Sequence, residues 1–222
     1  MEQKNRSKYH SEISPRADRS KIESPLEELF IEQFEKYLSG KVDIISQYEV
    51  NTNAGKFRLD FVIESDKKKI GIECDGKEFH NEWRDEWRDA LILGSNQVDT
   101  IYRFRGKDLA CFINDCIHII YHYDKEIFNE RYSQIYNQLI TNDLKEYINS
   151  NPSFKDETNR LSVRTTNEDG HETGGWMQII VERRNKNNRE SQWNVLYEFS
   201  KQHPGLNIDQ IITEREKSWT KF

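Results

Sequence analysis

Two short segments, FRLDFVI (57–63) and IGIECDG (70–76), set carboxylates among residues that would otherwise make uninterrupted buried strands. Burying a charged carboxylate without a partner is costly, so any fold that accepts Asp60, Glu73 and Asp75 must bring a counter-charge to them. Side chains on a strand alternate in direction, which points Glu73 and Asp75 to one face and Ile72 and Cys74 to the other. The Cys74 backbone carbonyl stays available beside the acids. Gly76 allows a tight turn after the strand, and Lys77 and His80 follow within one short loop.

The surrounding pattern predicts how these strands are held. In SPLEELFIEQFEKYLSG, Ser24 suits an N-cap, Pro25 the first helical position, Glu27 a capping box and Gly40 the far end. Leu26, Leu29, Phe30, Phe34, Tyr37 and Leu38 recur at helical spacing. Strands are expected at about Val42–Val50, Lys56–Glu64 and Lys69–Asp75, divided by turns at NTNAG and SDKKK. A helix over NEWRDEWRDALILG, a fourth strand at VDTIYRFR and a second long helix at DLACFINDCIHIIYHY follow. This order implies an α/β fold, a mixed sheet with helices on both faces.

Outside that core (24–124) the chain divides into an N-terminal arm (1–23), a helical extension (125–150), a linker or long loop (151–175) and a small C-terminal module (176–222). With 35% hydrophobic and 32% charged residues, the core must be compact and the surface very polar. No run approaches the roughly 18 apolar residues of a membrane span, and the first residues lack the apolar stretch of a signal peptide, so a cytoplasmic protein is expected. Three cysteines make no disulfide framework. The net charge of −6 is unevenly spread: both ends are slightly basic and the acidic excess lies between them.

A hard divalent cation is the counter-charge that would also give the acids a task. Phosphodiester hydrolysis needs an activated water, neutralised phosphoryl oxygens and help for the leaving oxygen, and an ion held by oxygen ligands with open positions provides these. Asp60 and Glu73, on adjacent strands, are placed to share such an ion. An Asp on the second strand, Glu-x-Asp-Gly on the third and a following His resemble the PD-(D/E)XK nuclease superfamily, most closely its very-short-patch-repair-type endonucleases and their relatives. The matching pieces are SPLE (24–27), FRLDFVI (57–63), IGIECDGKEFH (70–80), Asp85 with Arg88, Gly94, and IYRFRGKDL (101–109), in the family's order.

The resemblance implies a restriction-endonuclease-like four-stranded mixed sheet flanked by helices, with the C-terminal part as an appendage. It also implies Mg2+-dependent cleavage, with Mn2+ able to substitute, and DNA as the default substrate in bacterial or phage restriction, repair or defence. Carried over, Asp60 and Glu73 are metal ligands with the Cys74 carbonyl, and Glu27 orients a metal-bound water. Asp75 stands where the name-giving motif has Lys, a departure shared with the very-short-patch-repair branch. His80 is then the first choice for moving protons, with Lys77 second.

Each residue also has a plainer reading: Glu27 as a capping residue alone, Asp75-Gly76 as a turn, His80 as an exposed loop residue, and Arg88 as an ion-pair partner of Asp85 or Asp89 rather than a phosphate clamp. Arg183, Arg184, Lys186 and Arg189, between Trp176 and Trp193, form either a nucleic-acid contact or a solvated hairpin tip. The functional alternatives are an inactive nuclease fold kept as a nucleic-acid- or protein-binding module, and an RNase on the same scaffold. A partner protein or a second copy would help an acidic chain to hold DNA.

Overall fold

The computed structural model describes residues 15–76, 82–150, 160–163, 179–187 and 192–219. Helix α1 (Pro25–Phe34) starts as its sequence requires: the Ser24 hydroxyl accepts the Glu27 amide and Pro25 stands in the first turn. It stops at Phe34 rather than running to Gly40. The next residues are drawn sideways, because Ser39 donates to the Ile127 carbonyl and Asn129 to the Tyr37 carbonyl. Glu35, just past the helix, is fully buried and takes Arg19 at 2.8 Å, Arg16, and the Ala17 amide. The end of the expected arm, residues 15–23, is thereby docked on α1, with Arg58 reaching Glu23 at 2.5 Å.

Strands β1 (Asp43–Thr52), β2 (Gly55–Glu64) and β3 (Lys69–Asp75) form an antiparallel meander. Helix α2 (Glu82–Gly94) then carries the chain to β4 (Thr100–Arg105), parallel to β3. A crossover helix is what a parallel neighbour demands. Helix α3 (Gly106–Tyr123) follows, kinked at Phe112. Expected as one helix, residues 125–150 make a 3-10 turn (Lys125–Ile127), α4 (Glu130–Leu139) and α5 (Asn142–Ser150). Asn129 caps α4 through the Tyr132 amide. The break before α5 is fixed by Asp115, which accepts from both the amide and the hydroxyl of Thr141.

The sheet is larger than the four strands expected. Strands β5 (Arg160–Val163) and β6 (Ile179–Asn185) add to it, giving six in the order β1-β2-β3-β4-β6-β5. β6 pairs antiparallel with β4, so the C-terminal segment is not an appendage but part of the core, and a piece of the expected linker is an edge strand. Helices α6 (Trp193–Lys201) and α7 (Ile208–Trp219) complete the chain. On one face α1 and α3 cover Phe61, Ile72, Tyr102 and Phe104. On the other, α2 covers Leu59, Val62 and Ile101, and α6 packs on α2. A Cβ at Gly94 would stand 2.1 Å from the Tyr197 ring, so glycine is what lets α6 settle there.

Candidate functional site

The site lies where β2 and β3 part. Their ladder ends at Phe61↔Ile72, and beyond it the Asp60 Oδ2 accepts the Cys74 amide at 2.7 Å in place of a backbone carbonyl. The strand alternation also slips here. Leu59 and Val62 join the same cluster although three apart, as do Ile45 and Tyr48 on β1. Between that second pair stands Gln47, which has φ 54°, a left-handed value rare for a non-glycine residue. Its side chain donates to Glu27 Oε2 at 2.8 Å. The pairing itself does not shift, since Ser46↔Phe61 and Tyr48↔Leu59 keep one register. Both strands change facing together, and Asp60, across from Gln47, lies in the field of Glu73, Glu27 and Asp75.

Asp60 is mostly buried, and burial is the main reason its carboxyl is pushed up to about 8. The charge of Glu73 raises it further, the Cys74 amide opposes the rise, and Glu27 and Asp75 add smaller repulsions. No basic side chain pairs with Asp60 among the described residues. Glu73 is also raised by burial, against the pull of Arg88 and then Arg103. Arg88 Nη2 meets its Oε1 at 2.7 Å and donates as well to the Arg58 carbonyl on β2. Glu27 Oε2 accepts at 3.1 Å the amide of Glu23, the residue before the Ser24 N-cap rather than Ser24 itself, so it steadies the start of α1 and neighbours the acid cluster at once.

Glu73 and Asp75 share the α2 face with Gly71, which abuts Leu59, Val98 and Ile101, while Ile72 and Cys74 enter the opposite cluster. Asp75 is held by Arg103 Nη1 at 3.2 and 3.3 Å. Arg103, opposite Glu73 in the parallel ladder, also grips Asp89 of α2 through two bonds of 2.8 and 2.7 Å. Arg184 completes the set on Asp89 and bonds Glu182 at 2.6 Å. Two arginines facing Asp89 draw its carboxyl below the usual range in spite of its burial.

The basic residues expected to contact nucleic acid are otherwise engaged. Arg88 clamps Glu73 and Arg58, not Asp85 or Asp89. Arg183 and Arg184 lie within β6 rather than in a loop, and strand alternation sends them to opposite faces. Arg183 is buried between the Tyr102 and Tyr123 rings and donates to the Tyr102 hydroxyl at 3.1 Å. Lys186 pairs with Asp99. Lys77, His80, Arg189 and Trp176 lie outside the described residues. Sequence reasoning missed Arg103 and Gln47, and named Asp89 only as a partner for Arg88. For Arg103 a signal existed: an arginine amid the apolar run of TIYRF requires a buried acid.

Among the described residues no group of three or more His, Cys, Asp or Glu side chains is arranged to hold a metal ion, and no helix is long and apolar enough to cross a membrane. Asp60, whose Oδ2 takes the Cys74 amide, and Glu73 are hard oxygen donors of the kind Mg2+ takes, since that ion binds through one or two carboxylates and keeps several waters. No protein-family model, curated protein or solved structure matches the chain.

Proposed function

We propose that the protein is a Mg2+-dependent nuclease with a restriction-endonuclease-like core, hydrolysing phosphodiester bonds of DNA, with Mn2+ able to replace Mg2+. One observation carries this reading: Asp60 is a buried carboxylate without a basic partner among the described residues, set beside Glu73 at the point where two strands part. An acid so placed is unfavourable as an anion until a cation reaches it, and groups perturbed in this way cluster at functional sites.

Asp60, Glu73 and the Cys74 carbonyl would hold the ion. Bound there, it would neutralise charge on the phosphoryl oxygens and acidify a water. Glu27 has Oε2 fixed by the Glu23 amide and Gln47, and Oε1, without a hydrogen bond among the described residues, would orient that water. Asp75, its charge met by Arg103, would flank the site without ligating. His80, with Lys77 as the alternative, would move the proton.

A second reading, a nuclease fold retained for binding only, draws on Arg88: Glu73 already has a cation, and Asp75 replaces the lysine of the motif. A plasmid-nicking assay with Mg2+ or Mn2+, with and without chelator, separates the two. Cleavage lost in Asp60→Ala and Glu73→Ala, and abolished by chelator, supports the enzyme. Undiminished cleavage in both variants would remove the mechanism. Parallel digestion of single- and double-stranded DNA and of RNA identifies the substrate.

A further inference from the structure

We propose that Arg88 is a tethered cation that stands in for the metal ion, holding Glu73 in the ion-free protein and releasing it when a divalent ion binds. This rests on the metal-site reading above. A single nitrogen, Nη2, bridges Glu73 Oε1 on β3 at 2.7 Å and the Arg58 carbonyl on β2. The bridge spans the two strands beyond the last ladder pair, Phe61↔Ile72, from Glu73 one residue on in β3 to Arg58 three residues on in β2, with Asp60 between. It therefore closes the same gap into which an ion shared by Asp60 and Glu73 would have to fit.

Both partners are largely out of water, with side chains 15% and 7% exposed. A guanidinium and a divalent ion on one such carboxylate would repel each other with little screening. One must leave. The rest of α2 is anchored at the next residue, where Asp89 is locked by Arg103 and Arg184, so the yielding part is the Arg88 side chain rather than the helix. Once released, its planar fork of donors suits a phosphate, which makes substrate contact conditional on metal occupancy. Arg88 is in this account a positioning residue for Glu73 and a gate on the ion.

The test measures Mn2+ binding without nucleic acid at pH 8, counting free Mn2+ by electron paramagnetic resonance, for wild type, Arg88→Met, Arg88→Lys and Asp60→Asn. Losing a charged hydrogen bond that competes for Glu73 should let Arg88→Met bind about tenfold more tightly than wild type, with Arg88→Lys between. Equal or weaker binding by a folded Arg88→Met overturns the proposal while leaving the metal site intact, provided wild type binds and Asp60→Asn does not. No binding by wild type, or binding unchanged in Asp60→Asn, overturns the metal-site reading and this one with it. Should Arg88→Met fail to fold, Mg2+ titration of wild-type protein carrying 15N-arginine decides. A shift of the Arg88 side-chain signal that tracks occupancy supports release, and an unmoved signal at saturation overturns it.

Discussion

Asp60 makes the protein's stability depend on pH in a direction opposite to that of a salt-bridged aspartate. Its carboxyl is pushed up to about 8 in the fold and stands near 3.8 otherwise. Between those values the folded state keeps a proton that the unfolded chain has released, so this contribution is complete below about pH 4 and lost as pH rises through about 8. Asparagine can still accept the Cys74 amide through its side-chain carbonyl. Asp60→Asn should therefore flatten the decline and stabilise the ion-free protein by about 1–3 kcal/mol at pH 8, while abolishing cleavage. Urea unfolding across pH 4–9 checks this; an unchanged slope would mean that the acid is solvated. Arg103 presents the reverse case, since it neutralises Asp75 and Asp89 inside the protein. Arg103→Leu leaves those acids short of a partner and should cost about 3–5 kcal/mol by the same measurement.

The elements that sequence exposes best are those whose own side chains settle them. The α1 cap, the three-strand meander and the buried, apolar β3 follow from Ser24, from the turns and from the run of apolar residues. What sequence conceals is decided by distant partners. Thr141 breaks the 125–150 helix by bonding Asp115, and α1 ends early because segment 127–129 takes its backbone groups. The run ERRN is polar enough to pass for a loop, yet Tyr102, Tyr123 and Asp89 make it strand β6 by answering each arginine from its own face. The acids of the site were legible because charge inside an apolar strand is conspicuous. The change of facing at Gln47 was not, because nothing in Gln47 announces a left-handed backbone. The α2–α6 contact offers an element-scale test. Gly94→Ala puts a methyl against the Tyr197 ring and should destabilise by about 1–3 kcal/mol. Adding Tyr197→Ala should cancel most of that penalty if the contact is its source, and a double-mutant cycle in thermal unfolding would show coupling; strict additivity would place the strain elsewhere.

At the scale of the molecule, charge decides how a polyanion could bind. The chain carries a net −6, and Arg88, Arg183, Arg184 and Lys186 are all tied to acids, aromatic rings or a carbonyl. None of these four is therefore ready to meet a phosphate in the ion-free protein, and the acid cluster repels a polyanion. A divalent ion held by Asp60 and Glu73 would offset the charge of both carboxylates at the strand gap and, with the proposed release of Arg88, free a guanidinium beside it. Duplex DNA should accordingly bind weakly in chelator and at least about tenfold more tightly in Ca2+, which occupies oxygen sites. In chelator, the slope of log affinity against log salt should correspond to only about two to four phosphate contacts. Fluorescence anisotropy with a labelled duplex measures both quantities. If binding is already tight in chelator and indifferent to Ca2+, the acids are not a metal site, and the binding-module reading takes the place of the nuclease.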